Sequence, residues 1–153
     1  VEDSHSGYNA LRHHLLPYRQ QASGPLYRES IGPLTTPRRV IEAIVAGDID
    51  VGPLDSYALD LMQRHDPDLA AQIRVVATTD IAPIPFLVAS RECPTDVIAS
   101  LRTALLKFGD EAACGNLRER LCLKGFAPVA IADYDLMLGW DAEARVEDYA
   151  RPG

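Results

Sequence analysis

The stretch from Gly47 to Tyr57, Gly-Asp-Ile-Asp-Val-Gly-Pro-Leu-Asp-Ser-Tyr, constrains the chain more than any other. Val40, Ile41, Ile44 and Val45 recur at helical spacing just before it, so a helix with one apolar face runs into Gly47. Glycine enters the left-handed conformation at no steric cost, which makes Gly47 a good residue to end that helix. Ile49, Val51 and Leu54 then read as a short strand between turn signals, followed by Asp55 and a new helix. In open α/β sheets, ligand contacts gather beyond the carboxyl ends of strands. Asp55 is therefore the first candidate for touching a ligand, with plain N-capping of the helix at Ser56 as the alternative.

Other function classes are bounded by composition. A formal charge of −7 over 153 residues argues against a nucleic-acid partner, because phosphate backbones require a basic face. No apolar run is long enough to span a bilayer. Cys93, Cys114 and Cys122 form no metal-ligand spacing, and their odd number argues against a full disulfide framework. The pattern calls for no cofactor and no metal. Paired carboxylates, Cys/His pairs and Ser/His/Asp sets do not stand out, which points away from an enzyme. The first residues, Val-Glu-Asp, carry no signal peptide and no initiator methionine, so a processed or excised chain is expected.

Near the N-terminus, Leu11, Leu15 and Leu16 predict an apolar helical stripe that Pro17 stops or kinks. The cluster Ser4-His5-Ser6-Gly7 falls where that helix must begin. Its free N–H groups, the positive end of the helix dipole and two hydroxyls together suit an anion. An ordinary serine N-cap is the competing reading. Thr35 and Thr36 precede Pro37, which is preset for the first turn of the next helix. Beyond Asp55 come a helix carrying Leu59 and Met62, a break at Asp66-Pro67-Asp68, and a strand over residues 74–79. A stiff crossing segment holding Pro83 and Pro85 leads to a strand at Leu87–Ala89. Val97, Ile98, Leu101, Leu105 and Phe108 share one helical face. Cys114, Leu117, Leu121 and Cys122 share another, so these two cysteines are expected in a core. A short helix bears Tyr134, Met137 and Trp140, and the charged final residues are expected to fray.

Taken in order, these motifs resemble one family. Asp-Ser-His-Ser-Gly-Tyr-Asn at 3–9 resembles the serine-rich helix start of phosphonate-type substrate-binding proteins of ABC importers. Residues 47–55 are similar to that family's Gly-x-Ala-Asp-Val-Ala-Ala-Ile-Asp strand, and residues 82–90 to its return crossover. Lys-Gly-Phe-Ala-Pro-Val with Asp133-Tyr134 resembles its C-terminal signature.

The resemblance implies an α/β fold: a type 2 periplasmic-binding lobe, with a mixed sheet flanked by helices, plus a C-terminal helical part of the other lobe. Residues 1–80 would be the second lobe, with its first strand truncated near Val1. Residues 81–90 would be the crossover and 91–153 the C-terminal portion of the first lobe, most of which is then expected to be missing. Ser4, His5 and Ser6, with Gly7, match the anion-binding helix start, and Asp55 matches a hinge-side acid. Pro37 stands where many members carry a histidine, leaving a Thr35 or Thr36 hydroxyl as its available substitute. That departure puts phosphonate itself in question and leaves sulfonates, carboxylates and pyrimidine-type vitamin precursors open.

The implied function is capture of a small anionic or polar solute for an importer permease, in the periplasm or on a lipid anchor outside the inner membrane. A ligand-sensing effector domain of a bacterial regulatory or signalling protein is the alternative. Apolar helix faces within residues 86–153 further predict either self-association or packing onto residues 1–80.

Overall fold

The structure, a computed structural model, describes residues 4–151, with the side chains of His5 and Ser6 outside that description. A π-helical turn, His5–Asn9, leads into α1 (Ala10–Gln21). Next come α2 (Pro37–Ala46), α3 (Ser56–His65), the single turn α4 (Pro67–Ala70) and α5 (Thr95–Lys107). A 3-10 turn, Ala112–Cys114, opens α6 (Gly115–Leu121), and another, Ile131–Tyr134, opens α7 (Asp135–Val146).

The α/β expectation, with its mixed periplasmic-binding sheet, is overturned: among the described residues the architecture is helical and contains no strand. The reason is physical. A strand exists only when a neighbour completes its hydrogen-bond ladder, and alternation of side chains supplies one face but no partner. Residues 49–54, 74–79 and 87–89 carry the right side chains, yet none of them enters a ladder. In 74–79 and 87–89 the apolar groups stay in solvent, with Val76 67% and Val88 82% exposed, whereas Ile49 and Leu54 are half-buried.

Helix ends follow their local chemistry more faithfully. Thr36 caps α2, its hydroxyl oxygen accepting from the Arg39 amide at 3.3 Å, and Pro37 occupies the first turn. At the other end Gly47 is left-handed, with φ 79°. Its amide donates to the Ile44 carbonyl and that of Asp48 to Ala43, the paired bonds of a Schellman motif. Arg38 sits at the unfavourable end for the α2 dipole. It is engaged by Asp66, at the α3–α4 junction, and by Glu42, and these hydrogen bonds raise its pKa further.

Two compact units emerge. The first unites the residues up to Pro83 with those from Ala132 onward; the second is Ile84–Ile131. In the first, α7 packs on α1. Met137 and Trp140 lie against Ala10, with Ala82 and Tyr134 at the edge of the cluster. A second cluster joins Leu15 and Leu16 to Tyr149, flanked by Leu11 and Leu26. The helix expected to stop or kink at Pro17 runs on to Gln21, although Pro17 removes the bond its N–H would have made to the His13 carbonyl. Burial of Leu15 and Leu16 just ahead of Pro17 offsets that loss. The tail expected to fray is likewise held: Ala144 and Tyr149 are buried, and burial pushes the Tyr149 phenol pKa up.

In the second unit, the faces of α5 and α6 expected to be buried are largely open, with Leu101 55% exposed. Cys114 and Cys122 are half-buried there rather than core residues. Arg118 ties this unit together, donating to the carbonyls of Phe108 at 2.8 Å and Glu111 at 2.7 Å. The α1–α7 contact should therefore dominate stability. Met137→Ala, at a site 3% exposed, is expected to cost about 2–5 kcal/mol in urea unfolding. Leu101→Ala should cost under about 1 kcal/mol.

Candidate functional site

Each candidate residue sits at the beginning of a helix. At the first, the Ser4 hydroxyl oxygen accepts from the Gly7 amide at 3.0 Å. The Ser4 carbonyl accepts from the amides of Tyr8 at 3.1 Å and Asn9 at 3.2 Å. A Cβ added at Gly7 would lie 3.0 Å from the Ser4 hydroxyl, so glycine is what lets the turn close this tightly. Accepting one bond leaves the serine's own O–H available to donate. The expected roles of the His5 and Ser6 side chains fall outside the described residues.

At the second helix start, Thr35 has φ 66°, and the Thr36 amide reaches back to the Leu34 carbonyl at 2.7 Å. This is a three-residue γ-turn of the positive-φ kind, a strained conformation for a β-branched residue. At the third, Asp55 caps α3 by accepting from the Ala58 amide at 3.0 Å through Oδ1. Only one carboxylate oxygen is used in that bond. The structure thus gives Ser4, Thr36 and Asp55 the same local task, satisfying the open amides of a helix. No hydrogen bond joins these three starts to one another among the described residues.

Two surface grooves among the described residues lie elsewhere. One runs along α5 past Ser100, Thr103 and Lys107 to Cys114, and another beside α1 is bordered by His13, Tyr18, Asp80 and Glu143. In the latter, the His13 ring stacks on the Trp140 indole with centroids 4.8 Å apart. Its Nδ1 is 3.1 Å from Glu143 Oε2 and its Nε2 is 3.6 Å from Asp80 Oδ2. Among the described residues, no group of three His, Cys, Asp or Glu side chains could hold a metal ion.

Sequence reasoning missed the support behind the Ser4–Gly7 turn. Arg12, only 1% exposed, donates through Nη2 to Asn9 Oδ1 at 3.0 Å and to Asp141, and through Nη1 to the Tyr149 carbonyl at 3.2 Å. Its guanidinium lies 4.0 Å from the centre of the Tyr8 ring, a cation–π distance. Asp141 also accepts from Arg145 Nε at 2.6 Å. The Arg145 hydrogen bond, with Arg12 behind it, holds the Asp141 carboxyl below its ordinary 3.8 and outweighs the opposing effect of burial. A sequence signal did exist: Arg12 stands among Leu11, Leu15 and Leu16, where a charged residue at helical spacing marks a buried partner.

A family model described as "ABC transporter, phosphonate, periplasmic substrate-binding protein" matches residues 2–134, which takes in every candidate residue. No curated protein matches the chain. That family consists of transport receptors rather than enzymes. Among the described residues, no helix is long and apolar enough to cross a membrane.

Because the folded Asp141 carboxyl titrates below its unfolded value, its ion pairs stabilise the fold above about pH 4, and that contribution is lost as pH falls through the folded value. Urea unfolding from about pH 6 down to about pH 3 should show stability declining, with a shallower decline in Asp141→Asn.

Proposed function

The chain belongs to the phosphonate-type family of periplasmic substrate-binding proteins of ABC transporters, and from that premise we propose that it captures a small anionic or polar solute at its helix starts for delivery to an importer permease. The observation that carries this reading is the Ser4–Gly7 turn. There a serine hydroxyl and closely spaced amides open a helical run continuing through α1 to Gln21. The Gly7, Tyr8 and Asn9 amides already bond within the turn, so what this start offers an anion is its positive dipole end and the Ser4 O–H as a neutral donor. His5 and Ser6 belong to the same site. Thr35 or Thr36 supplies a hydroxyl in place of the histidine for which Pro37 is substituted, and the second carboxylate oxygen of Asp55 takes an amine or hydroxyl of the solute. The compartment of this reading is the periplasm. The same reading includes self-association through residues 86–153, with Ile98, Leu101 and Leu117 as the exposed apolar surface.

Calorimetry with inorganic phosphate, sulfate and methylphosphonate tests it. Ser4→Ala should weaken the tightest of these by about tenfold, the loss expected for one hydrogen bond to a charged group. Asn caps a helix about as well as Asp, so Asp55→Asn should leave stability within about 0.5 kcal/mol. For a solute bearing an amine or hydroxyl, the same change should lower affinity by about tenfold. Wild-type affinity in both variants would end the proposal. Sedimentation at several concentrations reads the association, and a strictly monomeric chain would remove that part.

A further inference from the structure

We infer that Arg12 is a positioning residue for the solute-binding helix start, setting the Ser4–Gly7 turn by clamping Tyr8 and Asn9 onto α7. This rests on the reading that the turn binds solute. The connection can be followed bond by bond. Asp141 on α7 and the Tyr149 carbonyl hold the two ends of the guanidinium fork. The fork holds Asn9 through Oδ1 and lies against the Tyr8 ring. The Tyr8 hydroxyl donates to the Ala150 carbonyl at 2.6 Å, so the turn is pinned to the C-terminal segment from a second side. The amides of Tyr8 and Asn9 end on the Ser4 carbonyl, while the Gly7 amide ends on the Ser4 hydroxyl. Moving Asn9 therefore moves Ser4, whose hydroxyl the proposed site uses.

Stability alone does not account for an arginine at this position. Arg12 Nε finds no acceptor among the described residues, a cost that an apolar side chain of similar length would not carry. Replacing a buried ion pair by apolar packing is commonly neutral or stabilising. Breaking such a pair is harmful chiefly when the partner is left buried and uncompensated. Asp141 escapes that fate, because Arg145 Nε still pairs with it. What disappears with the guanidinium is the fixed geometry of a rigid, multidentate donor, which holds three groups in one arrangement. Those three groups are the turn, α7 and the C-terminal segment. The turn itself is π-helical, a form that recurs at functional sites.

The test compares Arg12→Met, Asn9→Ala and, as control, Arg145→Met, which leaves the Arg12 contacts to Asn9 and Tyr149 in place. Two quantities are read in the full chain: amide hydrogen exchange without ligand, and affinity for inorganic phosphate and methylphosphonate by calorimetry. Arg12→Met should speed exchange at Gly7, Tyr8 and Asn9 selectively, leave α2 and α3 protected, and weaken the tighter probe by about tenfold. Arg145→Met should leave both quantities at wild type. If Arg12→Met does not fold, Asn9→Ala carries the same expectation with the buried charge intact. Wild-type exchange at Gly7–Asn9, or faster exchange spread equally over α2 and α3, would overturn the inference. So would faster exchange at the turn with unchanged affinity. If the wild-type chain binds neither probe, phosphate and phosphonate are excluded as its solutes and the affinity arm is repeated with a sulfonate and a carboxylate. The exchange pattern then still decides whether Arg12 sets the turn.

Discussion

A buried guanidinium joins the two ends of the described chain. Arg12 reaches Asn9 beside it, Asp141 on α7 and the Tyr149 carbonyl beyond, and the apolar contact of Met137 and Trp140 with Ala10 closes around the same helix pair. An isolated helix the length of α1, with Pro17 inside it, is marginal in water. Its persistence to Gln21 is a consequence of tertiary packing: Leu15 and Leu16 are covered by Tyr149. The charge at the centre is tolerable because its end nitrogens are paired and because Asp141 has a second cation in Arg145.

The three helix starts share a chemical economy. A hydroxyl that accepts one amide proton can still donate its own, and a carboxylate that caps through one oxygen retains the other. Ser4, Thr36 and Asp55 each satisfy part of a helix end in this way. Capping and ligand contact are therefore not opposed roles for these residues. The γ-turn at Thr35 adds a strained φ next to one of them, and strain of that kind persists only where surrounding structure holds it.

The second unit presents a different balance. α5 has a clear apolar face, yet Val97, Ile98 and Leu101 remain open to solvent within it. Helical periodicity specifies which residues share a face, and it is silent on what that face meets. Arg118, bridging the Phe108 and Glu111 carbonyls, gives the unit a polar tie where a packed core is thin.

Local rules made the cap at Thr36, the left-handed Gly47, the break around Asp66 and the cap at Asp55 readable from the sequence, because each depends on neighbours within a few residues. The ordered motifs also identified the family, since motif order survives wherever the chain packs. The stretches at 49–54, 74–79 and 87–89 were not readable in this way. Their side chains fit a strand, but a ladder is a pairing between distant segments, and sequence alternation carries no information on whether the partner is present. The apolar residues around Arg12 hinted at its burial, but what it pairs with was unreadable for the same reason. Its partners Asp141 and Tyr149 lie more than a hundred positions away, so only the folding of α7 onto α1 decided that this arginine would be buried and what it would hold.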